Sequence, residues 1–215
     1  MKENIVLIGM PGVGKSTVGV ILAKLMGYQF IDADLVIQDR ENKLLKEIIA
    51  EKGIDGFIQV ENDVNKSLNP KKAIISTGGS VVYGREAMEH LSEIATVVYL
   101  ELDLANLKKR LGNLKNRGVV LRDGQTLDDL FNERVPLYEK YAVETADGEL
   151  IALGMYEVLE RALVVRVVYM ESQPESNPTL AGAKRKYSGI GKLMIAYGIK
   201  LSIDHGFGGD VILEA

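Results

Sequence analysis

Short apolar runs alternate along the chain with segments whose apolar residues recur at helical spacing. The runs predict buried parallel strands at 4–8, 28–32, 73–76 and 96–100. The other segments predict helices at 18–26, 35–68, 84–91, 104–111 and 126–141, the second one broken near 41–42 and at Gly53 and Gly56. A fifth strand at 143–145 and a closing helix at 156–163 are expected to follow. This alternation predicts an α/β fold with a doubly wound parallel sheet.

The turn between the first strand and the first helix carries the clearest chemical signal. Residues 9–17 read Gly-Met-Pro-Gly-Val-Gly-Lys-Ser-Thr, the G-x-x-x-x-G-K-[ST] spacing of a phosphate-binding P-loop. In such a loop backbone N–H groups turn toward phosphate oxygens, Lys15 reaches the β- and γ-phosphates, and the Ser16 hydroxyl binds Mg²⁺. A glycine turn without a ligand is the alternative. The flanking strand and helix favour a nucleoside triphosphate site formed by Gly12, Val13, Gly14, Lys15, Ser16 and Thr17.

Two carboxylates, Asp32 and Asp34, stand at the carboxyl end of the second predicted strand. Residues two apart on a strand face the same way, and ligands of an open α/β sheet bind beyond this end. Asp32 is therefore a candidate for holding Mg²⁺ through water. Asp34 is a candidate for accepting a hydrogen bond from a substrate hydroxyl, or alternatively for capping the helix that starts at Leu35.

Glycines mark two further places of interest. Gly78 and Gly79 follow the third strand, where paired glycines let a ligand approach backbone N–H groups. Segment 112–125 contains three glycines together with Lys115, Arg117 and Arg122. This composition suits a mobile lid that closes over phosphates, and equally a plain solvated loop.

Composition narrows the class of protein. The 215 residues are 47% hydrophobic, enough for one large domain or one domain with a small addition, and the net charge of −4 gives no electrostatic reason to expect nucleic acid. The absence of cysteine excludes disulfides, thiolate metal sites and cysteine nucleophiles. The chain leads at once into a core strand and has no apolar run of membrane-spanning length, so we expect a cytoplasmic protein without signal peptide or membrane partner.

Four ordered motifs together resemble the shikimate kinase family, a branch of the nucleoside-monophosphate-kinase-like P-loop group, over roughly residues 1–160. They are the P-loop and the segments Phe-Ile-Asp-Ala-Asp at 30–34, Ser-Thr-Gly-Gly at 76–79 and Arg-Val-Pro-Leu-Tyr at 134–138. The resemblance implies a P-loop NTPase fold and transfer of the γ-phosphate of ATP to a hydroxyl of shikimate.

The resemblance also implies roles for individual residues. It implies Ser16 and Asp32 at Mg²⁺, and Asp34, Gly78, Gly79 and Arg134 at the substrate, with Arg134 on the carboxylate. It implies Lys15, Asp34 and the lid residue Arg117 as catalytic residues, and Arg110 against the adenine. The small molecule's own hydroxyl is then the nucleophile.

The chain departs from the family pattern at two positions. The family motif Phe-Arg-x-x-Glu, whose arginine binds the shikimate carboxylate, reads Phe-Ile-Gln-Val-Glu at 57–61, so Ile58 replaces the arginine. An apolar side chain cannot make a charge-assisted bond to a carboxylate. Ser80 replaces a third glycine after Gly79. These departures leave another small hydroxy-compound open as the substrate, and a nucleotide-binding module without catalysis as a further reading.

The predicted kinase domain, 1–160, is followed by a separate tail, 161–215. The tail combines a strand signal at 164–171, the segment Lys-Tyr-Ser-Gly-Ile-Gly at 186–191, a helix through Ile203 and a strand signal at 210–214. This order resembles the central piece of the GNAT acetyltransferase superfamily and predicts a small βαβ-type appendage. Acetyl transfer from acetyl-coenzyme A is an alternative function, but two strands and a helix are too little for a stable domain. A fused remnant that packs on the kinase or mediates self-association is the simpler interpretation.

Overall fold

The described part of the computed structural model comprises residues 2–111, 121–122, 124–142, 152–159, 164–172, 195–196, 199–200, 202–203 and 211–213. The chain divides into two compact units. One contains Met1–Gly19 and Tyr28–Val143, and the other contains Val20–Gly27 and Glu144–Ala215. Among the described residues, no helix is both long and apolar enough to cross a membrane.

A parallel sheet of four strands forms the centre of the first unit, as far as that unit is described. The strands are β1 (Asn4–Ile8), β2 (Gln29–Asp32), β3 (Ala73–Ser76) and β4 (Ala95–Tyr99), in the order β2-β3-β1-β4. The register pairs Ser76 with both Leu7 and Asp32, which brings the carboxyl ends of three strands to one edge. The predicted α/β parallel sheet is confirmed, and the predicted strand at 143–145 lies outside the described residues.

Within residues 2–111, 121–122 and 124–142, six helices accompany the strands. They are α1 (Lys15–Met26), α2 (Ala33–Glu41), α3 (Leu45–Ser67), α4 (Arg85–Ile94), α5 (Leu104–Leu111) and α6 (Leu127–Tyr141), and a 3-10 turn spans Val81–Tyr83. Gly53, with φ of 71°, kinks α3 as predicted. The predicted break at Gly56 is wrong, because α3 is helical there. At that position the glycine serves close packing, since a Cβ would stand 2.8 Å from the Lys52 Cβ.

Two clusters of apolar side chains lie in the described part of the first unit. The larger joins the sheet to α4, α5 and α6 and includes Val6, Ile75, Met88, Leu107 and Leu130. The smaller joins α2 to α3 through Ile37, Ile48, Phe57 and Val64. Full burial of one such side chain stabilises the fold by about 1.5–3 kcal/mol. The second cluster therefore holds the buried face of α3 firmly against the helix that carries Asp34.

The second unit contains a sheet in the order β5-β6-β7, formed by β5 (Ala152–Leu159), β6 (Val164–Ser172) and β7 (Val211–Leu213). β7 runs parallel to β6, as the predicted appendage requires, and residues 195–196, 199–200 and 202–203 between them are helical. The helix predicted at 156–163 is wrong, because residues 156–159 belong to β5, which pairs antiparallel with β6. Pairing with a strand rich in valine overrides the local helical spacing.

Candidate active site

The P-loop encloses its own lysine at the carboxyl end of β1. Gly12 and Gly14 have φ of 81° and 99°, which side chains rarely allow. Lys15 is buried, and its ammonium donates hydrogen bonds to the carbonyl oxygens of Gly9 and Met10 at 2.8 and 3.1 Å. Burial lowers the pKa of Lys15 to about 8, and the negative charge of Asp34 opposes this fall. The loop thus places a cation at the start of α1, where a helix N-terminus also attracts anions.

The end of α5 covers one side of the P-loop. A Cβ on Gly12 would stand 2.7 Å from Leu111 Cδ2, and Arg110 Nη1 donates to the Val13 carbonyl oxygen at 3.4 Å. Val13 is buried, whereas Ser16 and Thr17 are exposed at the start of α1. Arg110 therefore lies next to the predicted nucleotide residues. Arg117 lies outside the described residues, as does most of the predicted lid.

Asp32 links the P-loop to the second strand. Its Oδ2 accepts a hydrogen bond from Ser16 Oγ at 2.8 Å, and Ser16 Oγ is also 3.1 Å from Ser76 Oγ. Its Oδ1 accepts from the Asp34 backbone N–H at 3.1 Å, so Asp32 is the N-cap of α2, which begins at Ala33. The capping alternative for Asp34 is therefore wrong, and the Asp34 carboxylate is left for the pocket.

Hard oxygen atoms of the kind that Mg²⁺ prefers meet at Ser16 and Asp32. Within the described ranges, no group of three or more histidine, cysteine, aspartate or glutamate side chains is arranged to hold a metal ion. Mg²⁺ commonly takes only one or two protein ligands and completes its shell with phosphate oxygens and water. The Ser16 hydroxyl and the Asp32 carboxylate fit that kind of site.

The carboxyl groups of the buried Glu61 and the half-buried Asp34 converge on Gly78. A Cβ at this position would stand 2.1 Å from Glu61 Oε1 and 2.8 Å from Asp34 Oδ1, so a side chain here would displace one of these carboxyl groups. Burial raises the pKa of Asp34 to about 6, with Asp32 adding to the rise and Lys15 opposing it. Burial also raises the pKa of Glu61 to about 7. This wall of the pocket is therefore lined by two acids whose protonated forms are favoured by burial.

Helix α6 supplies a positive charge next to this wall. Arg134 is buried, and its Nε donates to the Tyr83 hydroxyl at 3.1 Å while its guanidinium carbon lies 5.1 Å from the centre of the Tyr83 ring. The Tyr83 hydroxyl in turn donates to Glu133 at 2.8 Å. Tyr138 donates its hydroxyl hydrogen to the Gly79 carbonyl oxygen. Helix α6 therefore carries the arginine and also bonds to the second of the paired glycines.

The structure thus brings together most of the predicted site residues and adds three that were not predicted as site residues. Glu61, Tyr83 and Tyr138 contribute to the pocket. The sequence could have indicated Glu61, because it is a charged residue at helical spacing between the apolar Phe57 and Val64. No sequence pattern indicated Tyr83, because its role depends on the approach of α6.

The sequence model of the family described as shikimate kinase matches residues 11–161. The chain belongs to the shikimate kinase family. It is accordingly an ATP-dependent small-molecule kinase by family, and the fold described above is the P-loop NTPase fold of that family.

Relatives and solved structures agree with this assignment. A shikimate kinase of Clostridium botulinum (strain Langeland / NCTC 10281 / Type F) is 37% identical over 142 residues, which cover 64% of this chain and 84% of the relative. A shikimate kinase of Vibrio vulnificus (strain YJ016) is 34% identical over 169 residues, covering 75% and 98%. The structure of a shikimate kinase from Acinetobacter baumannii in complex with shikimate matches with a TM-score of 0.61 and 33% identity, over 67% of this chain and 84% of that one. That from Aquifex aeolicus matches with a TM-score of 0.56 and 33% identity, covering 64% and 82%.

Proposed function

We propose that this chain transfers the γ-phosphate of ATP to a hydroxyl of shikimate. The observation that carries the proposal is the convergence of a P-loop lysine, the Asp34 carboxylate and the Arg134 guanidinium around the glycine pair 78–79. There Lys15 can bind the phosphate donor, Asp34 the substrate hydroxyl and Arg134 the substrate carboxylate. The relative from Acinetobacter baumannii, which is solved with shikimate bound, supports the choice of substrate.

The reaction is an in-line displacement at the γ-phosphorus. The substrate hydroxyl oxygen forms the new bond to phosphorus, the bond from phosphorus to the bridging oxygen breaks, and ADP leaves. Asp34 orients the hydroxyl and accepts its proton. Lys15 and the P-loop amides stabilise the charge on the transferred group, and Arg134 anchors the substrate carboxylate. Arg110 against the adenine and Arg117 as the lid arginine complete the proposed site.

The same proposal includes Mg²⁺ with ATP. Ser16 and Asp32 would hold the ion, directly or through water, because their oxygen atoms already lie 2.8 Å apart beside the P-loop. When bound, Mg²⁺ neutralises charge on the phosphate oxygens. The division of the chain at residue 160 is proposed from the family match, which ends at residue 161. The GNAT-like pattern of the tail and its part in self-association stay predictions.

An ATP-consumption assay over a panel of small hydroxy-acids and polyols tests this function. We expect ADP release that saturates with shikimate and depends on Mg²⁺, with shikimate giving the highest kcat/KM of the panel. The product should be a phosphate monoester detected by mass spectrometry. Turnover of another hydroxy-compound, with none of shikimate even at millimolar concentration, would leave the kinase class in place and reject shikimate as the substrate.

Replacing Ile58 with arginine is expected to lower the KM for shikimate. Residue 58 lies on α3 one turn before Glu61, and a guanidinium there adds a charged hydrogen bond to the substrate carboxylate. Such a bond contributes about 1.5–3 kcal/mol, or roughly ten- to 150-fold in binding. Steady-state kinetics with shikimate as the varied substrate measure the change.

Two controls accompany this variant. Gln59→Arg adds the same charge on the exposed face of α3, and Ile58→Leu keeps the apolar character, so neither should lower the KM. A rise in KM with Ile58→Arg would contradict the expectation. It would indicate a pocket refitted around an apolar part of a different substrate, where the arginine becomes a buried unpaired charge.

A further inference from the structure

Glu61 is a buried carboxyl without the hydrogen bonds that a buried carboxyl usually makes. Glu61 is 1% exposed, and neither of its carboxyl oxygens has a hydrogen-bond partner within the part of the chain that the structure describes. Ile58, one helical turn earlier, offers no charge. A buried ionised carboxylate without a paired cation is costly, so such a group pairs, binds a donor or takes up a proton.

The charged and titratable groups around Glu61 come from three other elements. Asp34 on α2 opposes its ionisation, whereas Lys15 from the P-loop and Arg134 from α6 favour it, and Tyr138 also faces it. The Ser80 hydroxyl lies near enough to favour the ionised form, although it is not placed to form a hydrogen bond with good geometry. A substrate that brings its own carboxylate to Arg134 adds a further negative charge beside Glu61.

We propose that Glu61 is a specificity-determining residue that meets the substrate carboxylate as the neutral acid and donates its O–H to it, so that binding takes up one proton. This inference rests on the proposed function, since it concerns how the same pocket accepts an anionic substrate. The proton supplies the charge that an arginine at position 58 would bring. The O–H then stays on Glu61, and no covalent bond to the substrate forms.

The geometry and the protonation equilibrium of Glu61 support this role. Its Oε1 and the Asp34 Oδ1 lie within 2.1 and 2.8 Å of the point where a Gly78 Cβ would stand, on the pocket wall beside Arg134. Burial raises the pKa of Glu61 from 4.5 to about 7. Below about pH 7 the carboxyl therefore carries its proton, and it loses that proton as the pH rises above this value.

The pH dependence of the shikimate KM tests the inference. In the unmodified chain the KM should rise as the pH passes about 7, approaching tenfold per pH unit. Glu61→Gln, a permanently neutral donor, should keep a low and pH-independent KM. Asp63→Asn is the matched control, because it removes a carboxylate from the outer face of the same helix and should retain the pH-dependent KM. A profile of the same shape in Glu61→Gln and the unmodified chain would overturn the inference.

Calorimetry in two buffers of different ionisation enthalpy counts the protons directly. Shikimate binding near pH 8 should take up close to one proton in the unmodified chain and in Asp63→Asn. It should take up almost none in Glu61→Gln or Ile58→Arg, because one lacks the carboxyl and the other stabilises the carboxylate. Binding without proton uptake in the unmodified chain would overturn the inference.

Thermal denaturation without any substrate separates this inference from the proposed function. A carboxyl whose folded pKa is raised contributes stability that is full below its unfolded pKa and is lost as the pH rises through the folded pKa, here about 7. Glu61→Gln should therefore raise the melting temperature relative to the unmodified chain more at about pH 8.5 than at about pH 5.5. An equal change at both pH values would overturn the inference. If shikimate fails to bind while the pH-dependent change is present, the proposed substrate is wrong and the neutral state of Glu61 stands.

Discussion

Replacing Lys15 with alanine is expected to slow phosphoryl transfer at least about a hundredfold, because it removes a preorganised positive charge from the transferring group. The ammonium is held by the Gly9 and Met10 carbonyl oxygens, so in the folded protein it is already in place before ATP arrives. Steady-state kinetics at saturating ATP and shikimate measure the loss in kcat.

The fold should survive this change, because Lys15 faces the phosphate site. Burial of its ammonium disfavours the charged form, so removing the charge should not destabilise the folded state. Circular dichroism and thermal denaturation check that expectation. Lys24→Ala removes the same charge from an exposed position in the last turn of α1 and should leave kcat unchanged. Turnover of Lys15→Ala at the rate of the unmodified chain would contradict the P-loop assignment.

Replacing Asp34 with asparagine is expected to reduce kcat by about 10²–10⁴, the usual contribution of a positioned general base. The amide keeps the size of the carboxylate beside Gly78 but cannot accept the hydroxyl proton. Nucleotide binding should persist, because Asp32 and Ser16 keep their mutual hydrogen bond. The measurement is single-turnover phosphoryl transfer, with ATP affinity determined separately.

Asp39→Asn is the matched control for Asp34→Asn, since Asp39 is an exposed aspartate on the same helix. It should leave both kcat and ATP affinity unchanged. If Asp34→Asn lost ATP binding along with turnover, its role would lie in the nucleotide site. If its kcat were unchanged, another group would be the proton acceptor.

Local sequence was sufficient for the parts of the protein whose structure depends on near neighbours. The bounds predicted for β1 and β3 match the structure, because a short buried parallel strand is a continuous apolar run. The P-loop follows from glycines and a lysine at fixed spacing within one turn. Asp32 was placed at the edge of the sheet because the carboxyl ends of parallel strands meet there.

Contacts between distant segments decided the rest. Residues 156–159 became a strand because β6 was available for pairing, which local spacing does not reveal. Arg134 lies beside the glycine pair because α6 packs there. It bonds to Tyr83, and Tyr138 of the same helix bonds to Gly79, each across more than 50 residues of sequence. The sequence by itself determined the nucleotide loop and the sheet that carries it. Only the tertiary structure showed that Glu61 lies buried beside Asp34 with no hydrogen-bond partner among the described residues, because burial and pairing depend on which helices pack together.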